Sequence, residues 1–183
     1  MPSRQVVVDK VLYKVVAMDK LEKEPYYPEF YLSYFLRQEE KTEVPIYTIP
    51  KGGVVPVLQA YEKMVELEKI QAIVLTDGGT DSVMFGNESE LGTPVEDFCS
   101  IAAVHFLKSV PNENKFLHAV GFGIDTFHGV NHVLFLENVA KLIEQKGYLG
   151  CFSITKDMEG FKLTEEALTF TYKQMEVSIV KFG

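Results

Sequence analysis

The stretch Ala72-Ile73-Val74-Leu75-Thr76-Asp77-Gly78-Gly79-Thr80-Asp81-Ser82 decides how this chain folds. Its first five residues are an apolar run of strand length, the pattern of a strand covered on both sheet faces. An Asp placed directly after such a strand stands at the sheet edge. The two glycines behind it let backbone approach a ligand closely or turn with positive φ.

Outward from this stretch, strand-length runs alternate with amphipathic ones. Toward the N-terminus, Val54–Lys69 reads as a helix, Pro45–Ile49 as a short strand and Pro28–Glu40 as a helix. Val6–Met18, rich in valine, reads as one strand or a bent pair. Toward the C-terminus, Thr93-Pro94-Val95-Glu96 opens a helix, with Thr93 as N-cap, Pro94 at the first helical position and Glu96 set for a capping box. That helix stops before Pro111. Phe116–Val120 then reads as a strand and Val130–Gln145 as a helix closed by Gly147 in a left-handed cap. Gly150–Ile154 reads as a strand, Thr164–Gln174 as a helix and Val177–Val180 as a last strand. Serial strand–helix–strand units predict a single α/β domain over residues 1–183: a three-layer α/β/α sandwich around a mainly parallel, Rossmann-like sheet. In that fold the loops leaving the C-terminal strand ends share one edge, where ligands bind. Those loops are Pro50–Gly53, Asp77–Gly92, Gly121–Gly129 and Thr155–Gly160.

The residues of that edge suggest chemistry. Successive N–H groups at Gly78 and Gly79 can nest an anion, with Thr80 and Ser82 adding hydroxyls. Asp77 and Asp81 can share a divalent cation that bridges phosphate oxygens. The plainer alternative is a glycine turn whose aspartates cap backbone N–H groups. Asp77–Thr93 is long for a connection, and its Val83, Met84, Phe85 and Leu91 are too apolar for a solvated loop, so it folds back over the strand ends or, on the plainer alternative, forms a short extra helix packed on the rim. Glu88 reads as solvated or as a further metal ligand. In Gly121-Phe122-Gly123-Ile124-Asp125-Thr126-Phe127-His128, followed four residues on by His132, a helix starting at His128 would set both histidines on one face. With Asp125 they would offer three metal ligands. Otherwise Asp125 or Thr126 is an N-cap, and His128 is the candidate general acid–base. Lys51-Gly52-Gly53 precedes a helix and suits an anion. His105, His118, Cys99 and Cys151 are assigned to packing. The aromatic stretch Tyr26–Phe35 is read as core or subunit interface rather than a cofactor box.

Composition narrows the classes. The chain has 183 residues, 46% of them hydrophobic, and a net charge of −8. The pI of about 5.1 argues against nucleic-acid binding, which rests on Lys and Arg neutralising phosphates. No run has the length of a membrane span and no secretory leader opens the chain, so no membrane partner is expected. Two cysteines fit a reducing, cytoplasmic compartment.

Four segments resemble the uncharacterised family catalogued as domain of unknown function 1152: Lys51–Val54, Ala72–Glu88, Leu91–Asp97, and Gly121–Asp125 with Phe127–Gly129. The resemblance runs from Tyr27 to Phe152 and implies an α/β fold with a glycine-rich sheet-edge site; it implies no reaction. That family's pattern begins with a glycine-rich strand–loop segment upstream, whereas only Gln5–Met18 precedes the first helix here. The tail Val177–Gly183 resembles a shortened form of a later family segment, so the chain reads as a truncated member.

The expected function is binding of a small anionic metabolite, nucleotide- or sugar-phosphate-like, with metal-assisted catalysis open to it. Asp77, Asp81 and His128 are the catalytic candidates. Lys51, Gly52, Gly53, Gly78, Gly79, Thr80, Ser82, Gly121, Gly123 and Asp125 are the ligand contacts. Asp77, Asp81, Asp125, His128 and His132 are the metal candidates. The alternative is a non-catalytic structural or sensor module forming homo-oligomers through the aromatic helix or unpaired sheet edges.

Overall fold

A computed structural model of the chain describes residues 4–16, 27–39, 44–89, 92 and 94–175. In chain order the elements are β1 (Arg4–Val8), β2 (Leu12–Val15), α1 (Pro28–Glu39), β3 (Tyr47–Thr48), α2 (Val54–Glu68), β4 (Ile73–Asp77), α3 (Pro94–Phe106), β5 (Lys115–Ala119), α4 (His132–Glu144) and α5 (Glu159–Met175). Short 3₁₀ turns occur at Asp81–Val83, Asn112–Asn114 and Ile124–His128. This mixed α/β chain divides into two compact units, one drawn from Met1–Pro50 and Cys151–Gly183, the other from Lys51–Gly150.

In the first unit the valine-rich N-terminal run is a bent pair. β1 and β2 form an antiparallel hairpin, Arg4 opposite Val15 and Val8 opposite Leu12, with a bulge between Val6 and Val8. β3 joins β2 antiparallel, Tyr13 opposite Thr48. The sheet here is therefore antiparallel, not the parallel one expected, because only the Asp9–Val11 turn separates β1 from β2 and a parallel pair needs a crossover. α1 and α5 pack together. Val15, Tyr27, Phe30 and Tyr31 form the core with Ile46, Phe170 and Met175 beside them. Phe35 is also buried and its ring lies 5.6 Å from that of Phe170. Of the aromatic stretch, Tyr27, Phe30, Tyr31 and Phe35 are core, spent inside their own unit; Tyr26 lies outside the described residues.

In the second unit α2 and α3 pack on one face of β4. Val65, Ile73, Val104, Leu107 and Val110 form its core, with Leu58, Tyr61, Ile70 and Leu75 against it. Burying each such side chain contributes about 1.5–3 kcal/mol. Burial pushes the Tyr61 phenol up, with a hydrogen bond to Ser100 of α3 working against it. β4 and β5 pair parallel in register from Ile73–Lys115 to Asp77–Ala119. Both strands thus stop level, and the loops behind them leave from the same end.

Several boundaries differ from the sequence reading. Val74 is 58% exposed and Phe116 is also exposed, so the strand expected to be covered on both faces is covered on one. Residues 150–154 form no strand, since no strand pairs with them among the described residues. The loop Thr155–Gly160 therefore follows no strand and belongs to the first unit. The left-handed residue beyond α4 is Lys146, not Gly147. Lys10 and Lys69 share that conformation, Lys69 as the C-cap of α2. α5 starts a turn and a half before Thr164, despite Gly160 in its first turn. His105 and Cys151 are exposed rather than packed. The strand expected at Val177–Val180 lies outside the described residues. Among the described residues no helix is long and apolar enough to cross a membrane.

Candidate functional site

The loop behind β4 is organised by two aspartates that accept backbone N–H groups. Asp77 Oδ1 accepts from the Gly79 amide at 2.8 Å, and Oδ2 accepts from the Ser82 amide at 3.3 Å. Asp125, in the loop behind β5, accepts from both the amide and the hydroxyl of Thr80, the latter at 3.1 Å. The Val120 amide donates back to the carbonyls of Asp77 and Gly79, each at 3.1 Å. The loops behind β4 and β5 are thus tied into one rim. A Cβ on Gly79 would fall inside the Asp125 carboxylate, so glycine is required there by close approach. Gly78 has open space around it.

The anion nest expected at Gly78-Gly79 is largely filled from within. The amides of Gly79, Thr80 and Ser82 already serve protein carboxylates. An incoming anion would meet those carboxylates rather than open N–H groups.

A third carboxylate arrives from α3. Asp77, Asp81 and Asp97 each offer an oxygen within 4.8 Å of the others, a gathering of three among the described residues. Asp97 was absent from the candidates read from sequence. Its carboxyl is pushed up to about 6, first by burial, then by the charges of Asp81 and Asp77, a hydrogen bond with Asp81 and the charge of Glu96. A helix N-terminus ordinarily favours a carboxylate; here burial and repulsion win. Because its folded pKa lies above the model-peptide value of 3.8, the folded state binds the proton more tightly. Stability is therefore lost as pH rises from about 4 to about 6, and the penalty is full above that. Asp97→Asn, which keeps a hydrogen bond to Asp81, is expected to be more stable than the natural chain by about 1–2 kcal/mol at pH 8, discounted for solvent access. Below pH ~4 the two should converge, as urea denaturation across that range would show.

Lys51 pairs with Glu96, the residue before Asp97, both side chains being exposed. Glu96 holds Lys51; the capping box expected of Glu96 involves Thr93, which lies outside the described residues. Gly53 is the N-cap of α2 without a side-chain cap, and Gly52 beside it is exposed. Gly121 and Gly123 adopt positive φ and shape the turn before Asp125. Asn131, rather than Asp125 or Thr126, caps α4, accepting from the Val133 amide at 2.8 Å. The helix begins at His132, so His128 sits in the preceding 3₁₀ turn and the pair does not share a helical face. His128 Nδ1 lies 3.7 Å from Asp125 Oδ1 and the ring is 74% exposed. Asp125, His128 and His132 do not gather as metal ligands.

Glu88 is half-buried and stands apart from the acidic cluster. Its carboxylate accepts from the amides of Phe85 and Gly86, each at 2.8 Å, and from Asn138 of α4. Burial pushes it up, but these hydrogen bonds win and hold it at about 2. The segment from Asp81 to Glu88 is thereby tied to α4 through Asn138, whereas the sequence reading has it folding over the strand ends. An apolar groove of about 420 Å³ between α1 and α5, lined by Leu32, Leu36, Leu163 and Leu168, lies in the other unit and holds none of these residues.

Against known proteins, the family model described as "Protein of unknown function (DUF1152)" matches residues 31–171. No curated protein and no solved structure matches the chain.

Proposed function

The chain belongs to the DUF1152 family, and from that premise we propose that it binds a small anionic metabolite, nucleotide- or sugar-phosphate-like, where β4 and β5 end, with metal-assisted chemistry open to it there. The observation that carries this reading is the joining of the two loops behind the parallel strands through Asp125 and Thr80. It brings Asp77, Asp81 and Asp125 from segments distant in sequence to one rim, the edge at which open α/β folds take ligands. Lys51, paired among the described residues with an exposed Glu96, exchanges that carboxylate for a ligand anion at little cost, since exposed ion pairs are weak. His128, solvent-facing with Asp125 behind it, transfers protons.

The same reading takes β4, β5, α2 and α3 as part of a three-layer, Rossmann-like sandwich. Parallel pairing supports it, and so do the apolar Val74 and Phe116 on the face that α2 and α3 leave open. The homo-oligomer alternative finds less support in the aromatic helix, whose Tyr31 and Phe35 are buried in their own unit.

Thermal unfolding with nucleotides and sugar phosphates, with and without divalent cations, tests the proposal. A ligand at about 100 times its Kd should add about 2.7 kcal/mol. Asp77→Asn keeps the acceptor for Gly79 and should abolish the shift. No shift with any compound at about millimolar concentration, or an undiminished shift in Asp77→Asn, overturns the proposal.

A further inference from the structure

α4 is apolar on two opposite sides. One side packs on its own unit: the buried Asn138 lies there, donating to the Val83 carbonyl and to Glu88. The other side carries Val133, Leu136, Ala140 and Ile143, spaced three, four and three residues apart, so they line a single stripe. All four are exposed, and Val133, Leu136 and Ile143 each keep more than half of their surface in solvent. A helix that is apolar around most of its circumference is ordinarily a buried one; here one side lies open. Just outside the two ends of the helix stand Phe127 and Leu149, both more than four-fifths exposed. All six residues belong to the second unit.

The spacing three-four-three reads the same in both directions. A two-fold axis crossing α4 at the level of Asn138 therefore sets Val133 opposite the partner's Ile143. It sets Leu136 opposite the partner's Ala140, large against small, as in a coiled-coil seam. Phe127 and Leu149 each lie eleven residues from Asn138, so the same axis turns each toward the partner's copy of the other. A partner of different sequence requires no such symmetry; a second copy does. The area is also sufficient. The six residues expose roughly 600 Å² of apolar surface, against the roughly 500 Å² that an apolar share of about 65% takes of a standard 800 Å² face. A lipid surface fits less well. Glu137 and Glu144 border the stripe and the chain carries a net charge of −8, whereas helices that lie on membranes are edged with Lys and Arg. We infer that the α4 stripe is the contact face of a homodimer, covered by the same stripe of a second copy running antiparallel. This face is neither the aromatic helix nor a sheet edge, and it stands whether or not the rim takes a metabolite.

Sedimentation equilibrium of the full chain from about 1 to about 100 µM tests the inference. The expected mass at the upper end is twice the 20.7 kDa of one chain. Leu136→Glu sets a carboxylate into each half of the seam and should weaken association at least about hundredfold. The variant should stay folded, because a half-exposed side chain leaves its charge in water; circular dichroism and thermal unfolding verify this. A second pair of substitutions tests the register. In a background with Cys99→Ser and Cys151→Ser, Val133→Cys and Ile143→Cys together should yield a covalent dimer on mild oxidation, and neither should alone. The two positions are about 15 Å apart on one helix, beyond the reach of a disulfide within the chain. A monomer at the highest concentration, or undiminished association in Leu136→Glu, overturns the inference. So does loss of the fold in that variant, which would mean that the stripe is covered within its own chain. A covalent dimer from Val133→Cys alone, or none from the pair, overturns the antiparallel register.

Discussion

Replacing Gly79 with alanine is expected to destabilise the protein by about 3 kcal/mol, a fall in melting temperature of roughly 6–12 °C. The new methyl would stand where the Asp125 carboxylate now lies. Aspartate is short, and its oxygen is bonded to the Thr80 amide and hydroxyl. Moving aside means giving up both bonds and leaving the buried Thr80 unsatisfied. A double-mutant cycle isolates this cause. Asp125→Ala removes the obstacle, so adding Gly79→Ala in that background should cost less than about 1 kcal/mol. Strict additivity of the two substitutions in urea denaturation would mean that Gly79 is required for some other reason.

Asn138→Leu should have an effect of similar size, about 2–4 kcal/mol. Asn138 is 1% exposed. Its amide nitrogen donates to Glu88 and, at 3.3 Å, to the Val83 carbonyl, while its oxygen accepts from Lys141 at 3.0 Å. Leucine fits the volume but strips Glu88 of a donor. A second consequence separates this cause from simple mispacking. Glu88, held at about 2 against an ordinary 4.5, stabilises the fold above pH ~4.5, and that contribution is lost as pH falls toward 2. In Asn138→Leu the carboxyl moves back toward its ordinary value, so the loss of stability between pH 5 and pH 3 should shrink. A variant within about 0.5 kcal/mol of the natural chain at pH 7 would sink the idea that Asn138 pins this segment.

Local periodicity carried much of the fold. The apolar spacing of Val54, Val57, Leu58, Tyr61 and Val65 marks α2 to within a residue, and the run ending at Thr76 marks β4. What the sequence left open was pairing. The N-terminal valines pair as an antiparallel hairpin, and Gly150–Ile154 has strand composition but no strand paired with it among the described residues. Strands are defined by partners, and partners are tertiary facts. The site divides in the same way. Asp77, Asp81 and Asp125 were legible because each follows a strand, as loop residues of a parallel pair must. Asp97 was not, because on its own helix it reads as a solvated residue and only the docking of α3 beside β4 brings it in. A signal existed: the long segment begins at Asp77 and folds back, so the helix that follows must start near the same edge. Asn138 carried a comparable signal as a lone amide in line with Phe135 and Leu142 on the apolar side of α4.

Among the described residues, the three non-glycine positions with left-handed backbone, Lys10, Lys69 and Lys146, are all lysines. Each gives up about 1 kcal/mol relative to glycine at such a position. Substituting all three by glycine would relax the backbone, yet leave a chain already at −8 three charges more negative. Local ease and global self-repulsion therefore pull in opposite directions at these reversals, and any effort to harden the protein against heat should weigh the two together rather than edit its turns in isolation.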